Sequence, residues 1–302
     1  MISIAVLAHN EEADIGRCLT SILGQDGFGP DDRVTVLENG STDRTAEIVE
    51  GIAAGDPRVR LVRIALGDKA NAWDVYVFRE SRAIPAETHV FMDGDVTMRP
   101  GSLLSMQETL AAHPDALAVS SLPFGGRTAS SWRDRILTHH GLPGNLYALR
   151  DATVDRLRDG AWCLPVGYIG DDTFLMWLLK RRLSPSGTPD KAAIVPAKDA
   201  GFDYESISAR SVKGLRQLYR RQRTYGMRDI QTKILIDHLL ADPAHRPPQA
   251  IATLYPDATP KDALFGPFGR LAPVQARKVL FLQTWWRTRR PPERTAKAWF
   301  ET

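Results

Sequence analysis

The sequence predicts an α/β fold: a mainly parallel sheet flanked by helices, followed by a basic helical C-terminal extension. Three observations carry this. Short apolar runs alternate with amphipathic stretches through the first 100 residues, the pattern of repeated βαβ units. Polar residues gather where those runs end, at His9-Asn10-Glu11, Glu38-Asn39 and Asp93-Gly94-Asp95, and ligands of parallel sheets bind beyond the carboxyl ends of the strands. The charge is also uneven. Residues 1–205 hold 21 Lys and Arg against 29 Asp and Glu, a net of −8, whereas residues 206–302 hold 18 against 7, a net of +11.

In chain order, Ile2 to Ala8 is an apolar run that suits a buried strand, and Glu11 to Leu23 places Ala13, Ile15, Leu19, Ile22 and Leu23 on one helical face. Val34 to Leu37 is a second strand. Ser41, Thr42 and Asp43 offer N-caps for a helix through Ile48, Val49 and Ile52 that stops near Gly55. Val59 to Ile64 and His89 to Met92 are further strands, the latter running into Asp93-Gly94-Asp95. Residues 100–205 are less regular, with Gly/Pro joints at Pro123–Gly126 and Gly141–Gly144 and a helical run from Asp171 to Arg182. A basic helix from about Ser208 to Leu240 precedes a Pro-rich stretch.

Composition narrows the function. At 302 residues, 43% of them hydrophobic and 25% charged, the chain suits one large α/β domain with an appendage. No apolar run reaches the roughly 18–20 residues that span a bilayer. The start, MISIAVLAHNEE, lacks a basic leader and reads as a core strand rather than a signal peptide. Cys18 and Cys163 form no metal or redox motif, so a reducing cytoplasm is expected. The basic tail suggests an anionic partner: a membrane surface, a nucleic acid, a phosphorylated acceptor, or the acidic body itself.

Asp93 and Asp95 are two residues apart at a strand end and so point the same way. Two adjacent carboxylates repel unless a cation lies between them, and hard oxygen ligands suit Mg²⁺ or Mn²⁺ completed by phosphate oxygens. A solvated turn is the plainer reading of this pair alone. Glu38, at another strand end, can accept hydrogen bonds from a base or a ribose, or it simply belongs to a strand–turn–helix joint in which Gly40 permits the turn. Asp171 and Asp172 open a helix, as N-cap or as general base; the residues alone do not distinguish them.

AHNEE (8–12), LENGSTDRT (37–45), GDKANAW (67–73), MDGDV (92–96) and GDDTFLMWLL (170–179) together resemble, in order and approximate spacing, the family 2 glycosyltransferases. The resemblance spans about residues 1–180, with a further likeness at 217–226. It implies the GT-A fold and division into a catalytic domain, 1–205, and a basic helical extension, 206–302. Within the catalytic domain, 1–100 would bind the nucleotide sugar and 101–205 the acceptor. By position, Glu38 matches the acidic residue that contacts the nucleoside, and Lys69 lies in the stretch lining the nucleotide pocket. Asp93 looks like the residue near the ribose, and Asp95 like the metal ligand, with Asp93 beside it as a second candidate. Ala8, Asn10, Glu11 and Gly94 fall in the donor-contacting motifs. Asp172 matches the catalytic base, and Asp171 stands where Glu is usual. Gln217-Leu218-Tyr219-Arg220-Arg221 resembles a Q-x-x-R-W motif, with Arg221 in place of Trp, and suggests that Arg220 and Arg221 meet the donor diphosphate.

The implied activity is inverting transfer from a UDP- or GDP-type nucleotide sugar, with Mn²⁺ or Mg²⁺, to an acceptor hydroxyl. The acceptor is expected to be lipid-linked or membrane-associated. Val274 to Arg290, with Trp285 and Trp286, suits either an anionic membrane interface or a helix docked on the protein's own body. A nucleic-acid partner is not expected. His139 and His140 are candidates for a metal or an acceptor role, or else polar loop residues. Two alternatives stand beside this: a nucleotidyltransferase that makes nucleotide sugars, and a non-catalytic membrane- or nucleic-acid-binding protein. The first would want a Gly-rich basic loop after the first strand, where this chain has His9-Asn10-Glu11.

Overall fold

A computed structural model describes residues 1–126, 128–205 and 212–257, with side chains described outside 212–223. Residues 1–160 and 175–206 form one compact unit, and residues 161–174 group with the chain after 206 in a second.

The first unit is built on an eight-stranded sheet of order β3-β2-β1-β4-β7-β6-β8-β5. Its strands are β1 (Ile2–Ala8), β2 (Arg33–Asn39), β3 (Val59–Ile64), β4 (Thr88–Asp93), β5 (Val96–Met98), β6 (Ala118–Pro123), β7 (Leu146–Arg150) and β8 (Ile194–Tyr204). β3, β2, β1 and β4 pair in parallel, as does β6 with β8. β7 is antiparallel to both its neighbours, and β5 is antiparallel to β8. The sheet is thus mixed, with its parallel half in the first 100 residues, as the βαβ pattern requires.

Helices α1 (Ile15–Leu23), α2 (Thr45–Gly55) and α3 (Lys69–Phe78) connect the first strands. α1 starts at Ile15, later than Glu11, and buries Ile15, Leu19 and Ile22 of the face read from its periodicity, with Cys18 beside them; Ala13, placed on that face by the sequence, is exposed ahead of the helix. β1 is buried at every position, as suits an inner strand covered on both faces. Packed with it are Val34, Val36, Val90, Met92, Leu103, Met106 and Phe202, each essentially inaccessible. α2 begins later than its cap residues suggested: Arg44 precedes it and makes no side-chain cap bond. Asp43 instead accepts from Thr45 N and from Glu12 N, each at 3.0 Å, and so joins two loops.

Register decides what the fold presents. Ala8 aligns with Glu38, and Leu7 with Asp93. The ends of β1, β2 and β4 therefore lie side by side at one edge of the sheet. The chain then leaves β4 through Gly94-Asp95 and enters β5, which pairs with β8 at the far side of the order, Val96 opposite Tyr204.

In the second unit, α8 (Val212–Ala241) is a 30-residue helix. α7 (Asp171–Lys180) begins in this unit, and its residues from Leu175 onward belong to the first. Among the described residues, no helix is long and apolar enough to cross a membrane.

Candidate active site

The loops that follow β1 and β2 are stitched together before any ligand is considered. Asn10 adopts φ 58°, a left-handed conformation that Asn tolerates better than most residues. From there its Oδ1 accepts from Thr42 N at 2.8 Å, while its own N–H reaches Ser41 Oγ at 3.0 Å. Glu11 N donates to Thr45 Oγ1 at 2.7 Å, and Arg44 N to Glu12 at 3.1 Å. Asn39, buried, donates through Nδ2 to Ala8 O at 2.8 Å. The AHNEE and ENGSTDRT segments are thus one structural unit, locked by side chains that accept or supply backbone hydrogen bonds. Gly40, at φ 66°, completes the turn: a Cβ there would meet the backbone N of Gly67 at 2.6 Å, so the position admits only glycine.

A cleft of about 170 Å³ opens at this edge, lined by Leu7, His9, Glu11, Asn39, Lys69, Asp93, Gly94 and Asp95. Lys69 is the first residue of α3, whose N-cap Asp68 accepts from Asn71 N at 2.8 Å. Its Nζ lies 2.7 Å from Asp93 Oδ1, and Asn145 Nδ2 donates to Asp93 Oδ2 at 3.3 Å. Both oxygens of Asp93 are therefore engaged by the protein. Gly94 donates to Leu7 O at 2.9 Å and sits against β1, where a Cβ would meet Ala8 Cβ at 3.1 Å. That close seat turns Asp95 outward, where it is exposed.

Glu11 shares the cleft with these carboxylates. Burial, then the nearby Asp95, Asp14, Asp93 and Asp43, push its carboxyl up to about 8. Such crowding of anionic oxygens fits a divalent cation. Among the described residues, no group of three or more His, Cys, Asp and Glu side chains forms a complete cage. A cation of the Mg²⁺ or Mn²⁺ type needs only one or two carboxylates when phosphates and water fill its other positions, so the residues present fit it.

A stability consequence follows. Glu11 has a higher affinity for its proton in the folded chain than in the unfolded one, so the folded state binds more protons between about pH 4.5 and 8. Stability conferred on the metal-free protein by this proton is present at low pH and lost as pH rises through that window. Glu11→Gln removes the loss. At pH 8.5 in EDTA, calorimetry is expected to give a melting temperature raised by about 2–4 °C, the shift for about 1 kcal/mol in a protein of this size. Near pH 4.5 the difference should vanish, and an equal difference at both pH values would refute this account.

The remaining sequence-derived residues divide. Ala8 is buried at the end of β1 against Gly94 and does not itself line the cleft. Glu38 is also buried, and its Oε1 accepts from Ser41 N at 2.5 Å, the joint role weighed in the sequence. His140 caps α5 (Ala129–His139) at φ 50° and is held by Ile194 O at 2.7 Å; neither it nor His139 lines the cleft. Arg220 and Arg221 lie on α8, but their side chains fall outside the described residues, as does the whole of Val274 to Arg290.

In the second unit, Asp171 and Asp172 occupy the first turn of α7, where acidic groups meet the positive end of the helix macrodipole. Asp172 Oδ1 accepts from Thr173 N at 2.7 Å. The segment leading to this turn is clamped by Gln231 of α8, 2% exposed. Its Oε1 accepts from Ile169 N, and its Nε2 donates to Gly167 O and to Tyr255 OH, at 2.9, 2.9 and 2.7 Å. Tyr168 OH lies 2.8 Å from Thr232 Oγ1. Sequence reading missed Gln231 and Asn145, because neither stands in a motif and each matters only through what it holds.

A parallel half-sheet with paired carboxylates, a lysine and stitched loops at its carboxyl edge defines a sheet-edge site of the kind that receives nucleotides. Residues 3–163, more than half of the chain, match the family described as Glycosyl transferase family 2, and the chain belongs to that family. It is a glycosyltransferase with a GT-A fold. The structure is similar to the mannosyltransferase PcManGT from Pyrobaculum calidifontis, solved with GDP-Man and Mn²⁺. That match has a TM-score of 0.59 and 19% identity, covering 96% of this chain and 76% of that one. It is also similar to S. aureus TarS 1–349 solved with UDP-GlcNAc, at a TM-score of 0.51 and 14% identity, covering 95% and 91%. At such identities the likeness is one of fold. No curated protein sequence matches the chain.

Proposed function

We propose that the chain transfers a sugar from a nucleotide-diphosphate sugar of UDP or GDP type to an acceptor hydroxyl, with inversion and with Mn²⁺ or Mg²⁺. The observation that carries this is the cleft in which Asp95 is turned outward beside Asp93, Lys69 and Glu11 at the joined strand ends. Asp95 would hold the cation, with Asp93 beside it, and the cation would supply positive charge against the departing diphosphate. Lys69 neutralises Asp93 and keeps it oriented toward the ribose side of the cleft. Ala8, Asn10, Gly94 and Glu38 shape the donor pocket, Asn10 and Glu38 by fixing its loops. Arg220 and Arg221 are assigned to the diphosphate on the motif resemblance alone.

In the proposed reaction the acceptor oxygen bonds to the anomeric carbon as the bond from that carbon to the diphosphate oxygen breaks. The hydroxyl proton passes to Asp172, and the nucleoside diphosphate leaves. Asp171 supports the helix start. The +11 balance after residue 205 supports an acceptor carried at an anionic membrane surface. A thermal-shift screen of UDP, GDP, CDP and dTDP, each with and without Mn²⁺, tests the donor reading. One nucleotide is expected to raise the melting temperature in a Mn²⁺-dependent way, and no shift with any of them counts against it.

A further inference from the structure

We propose that the aromatic patch of Phe124, Trp132 and Tyr204, in the strand register next to Asp95, is the subsite that receives the acceptor, and that the acceptor is a saccharide. The inference rests on the glycosyl-transfer reading above and deepens it.

The placement comes from topology. Residue 96, immediately after Asp95, is the register partner of Tyr204, and Met98 is the partner of Phe202. Paired strands lie about 4.8 Å apart, so the end of β8 adjoins the carboxylate assigned to the cation. An acceptor has to reach the donor beside its diphosphate, and β5 leads straight from Asp95 to the strand end that carries Tyr204.

The patch is built in layers. Phe202 is fully buried and anchors it. Trp132 meets Phe202 edge-on, with centroids 5.7 Å apart, and Tyr204 likewise at 5.6 Å. Trp132 and Tyr204 pack on the core yet stay partly exposed, and Phe124 is 38% exposed. Two guanidinium groups lie over the Phe124 ring, Arg99 at 4.7 Å and Arg133 at 4.8 Å from its centroid. Arg99 is tied to Asp203 at 3.1 Å, and Arg133 donates to Pro123 O at 3.3 Å. The backbone leaves room for this arrangement: a Cβ on Gly201 would strike the Phe124 ring at 2.3 Å, and one on Gly125 would meet Tyr204 N at 3.1 Å.

A core edge does not require a partly exposed tryptophan beside a partly exposed tyrosine. A sugar ring does use such a pair. It has an apolar C–H face that lies flat on aromatic carbon and a rim of hydroxyls that seek donors and acceptors. Here the partly exposed rings of Trp132 and Tyr204 supply the flat surface, and Arg99 and Arg133 over Phe124, with the hydroxyls of Thr128 and Tyr204, 3.3 Å apart, supply the rim. Because the rings are already seated, little ordering is lost on binding.

The test is a glycan array probed with the full-length protein in UDP or GDP with Mn²⁺, beside calorimetry of nucleotide binding on the same samples. Wild type is expected to retain a saccharide. Trp132→Ala should weaken that binding by about tenfold or more, the scale of truncating a central aromatic contact. Trp132→Phe should keep most of it, and both variants should bind nucleotide and Mn²⁺ as wild type does. Should Trp132→Ala lose nucleotide binding through misfolding, Phe124→Ala, whose ring is exposed, takes its place. Nucleotide binding without any retained saccharide overturns the inference alone. So does a saccharide held equally by wild type and the alanine variant. Absence of nucleotide binding in wild type overturns the glycosyl-transfer reading, and this inference with it.

Discussion

Asp95→Ala is expected to abolish the Mn²⁺-dependent part of nucleoside-diphosphate affinity, a loss of roughly 10²-fold if the cation contributes about 3 kcal/mol. Asp93 spends one oxygen on Lys69 and the other on Asn145, whereas Asp95 is exposed at the mouth of the same cleft. Gly94 between them sits closely against β1, where a Cβ would meet Ala8 Cβ at 3.1 Å. Asp93→Asn should therefore behave differently. It removes the negative charge that Lys69 meets and should alter affinity in EDTA as much as in Mn²⁺. Calorimetry of each variant with and without EDTA separates the two. A full Mn²⁺ enhancement in Asp95→Ala would remove Asp95 from the metal site.

Much of the first half of the fold was legible because its signals are local. β1 and β3 have the bounds read from their apolar runs, and α1 buries most of the face its periodicity marked. The strand-end motifs located the cleft for the same reason: a parallel sheet brings every strand terminus to one edge, whatever the details of packing. In the second half the helices α7 and α8 were legible, but the strands were not. β5 has three residues, and β8 carries Pro196, Lys198 and Asp199 within its span. β6 buries Ser120 and Ser121 in a position where periodicity expects apolar side chains. α3 is buried on nearly every side from Ala70 to Phe78 and so shows no amphipathic period. What the motifs could not reveal was pairing. That Lys69 answers Asp93, or that β5 crosses to Tyr204, depends on register between segments far apart in sequence. The anionic-partner reading of the tail rests on charge alone, since Val274 to Arg290 lies outside the described residues.

Asp172→Asn is expected to lower the rate of sugar transfer by at least about 10²-fold, the scale of losing a general base, while leaving nucleotide affinity and KM for the donor near wild type. The substitution is nearly isosteric and can still accept from Thr173 N through its amide oxygen, so the start of α7 should survive. What it cannot do is take a proton. The loss belongs to kcat, because a base acts in the transition state and not in donor binding. Gln231 matters here for geometry: by clamping Gly167 and Ile169 it limits the freedom of the segment that delivers Asp171 and Asp172, and positioning can supply a large share of such a rate. Asp171→Asn should cost less in rate and more in melting temperature, because it weakens the first turn of the helix. The same reading demands inversion. A retaining double displacement needs a second carboxylate against the sugar face, and the motifs mark none, whereas a single displacement needs one base opposite the leaving diphosphate. Proton NMR of the first-formed product should therefore show the anomeric configuration opposite to that of the donor. Retention, or wild-type transfer by Asp172→Asn, would move the base elsewhere.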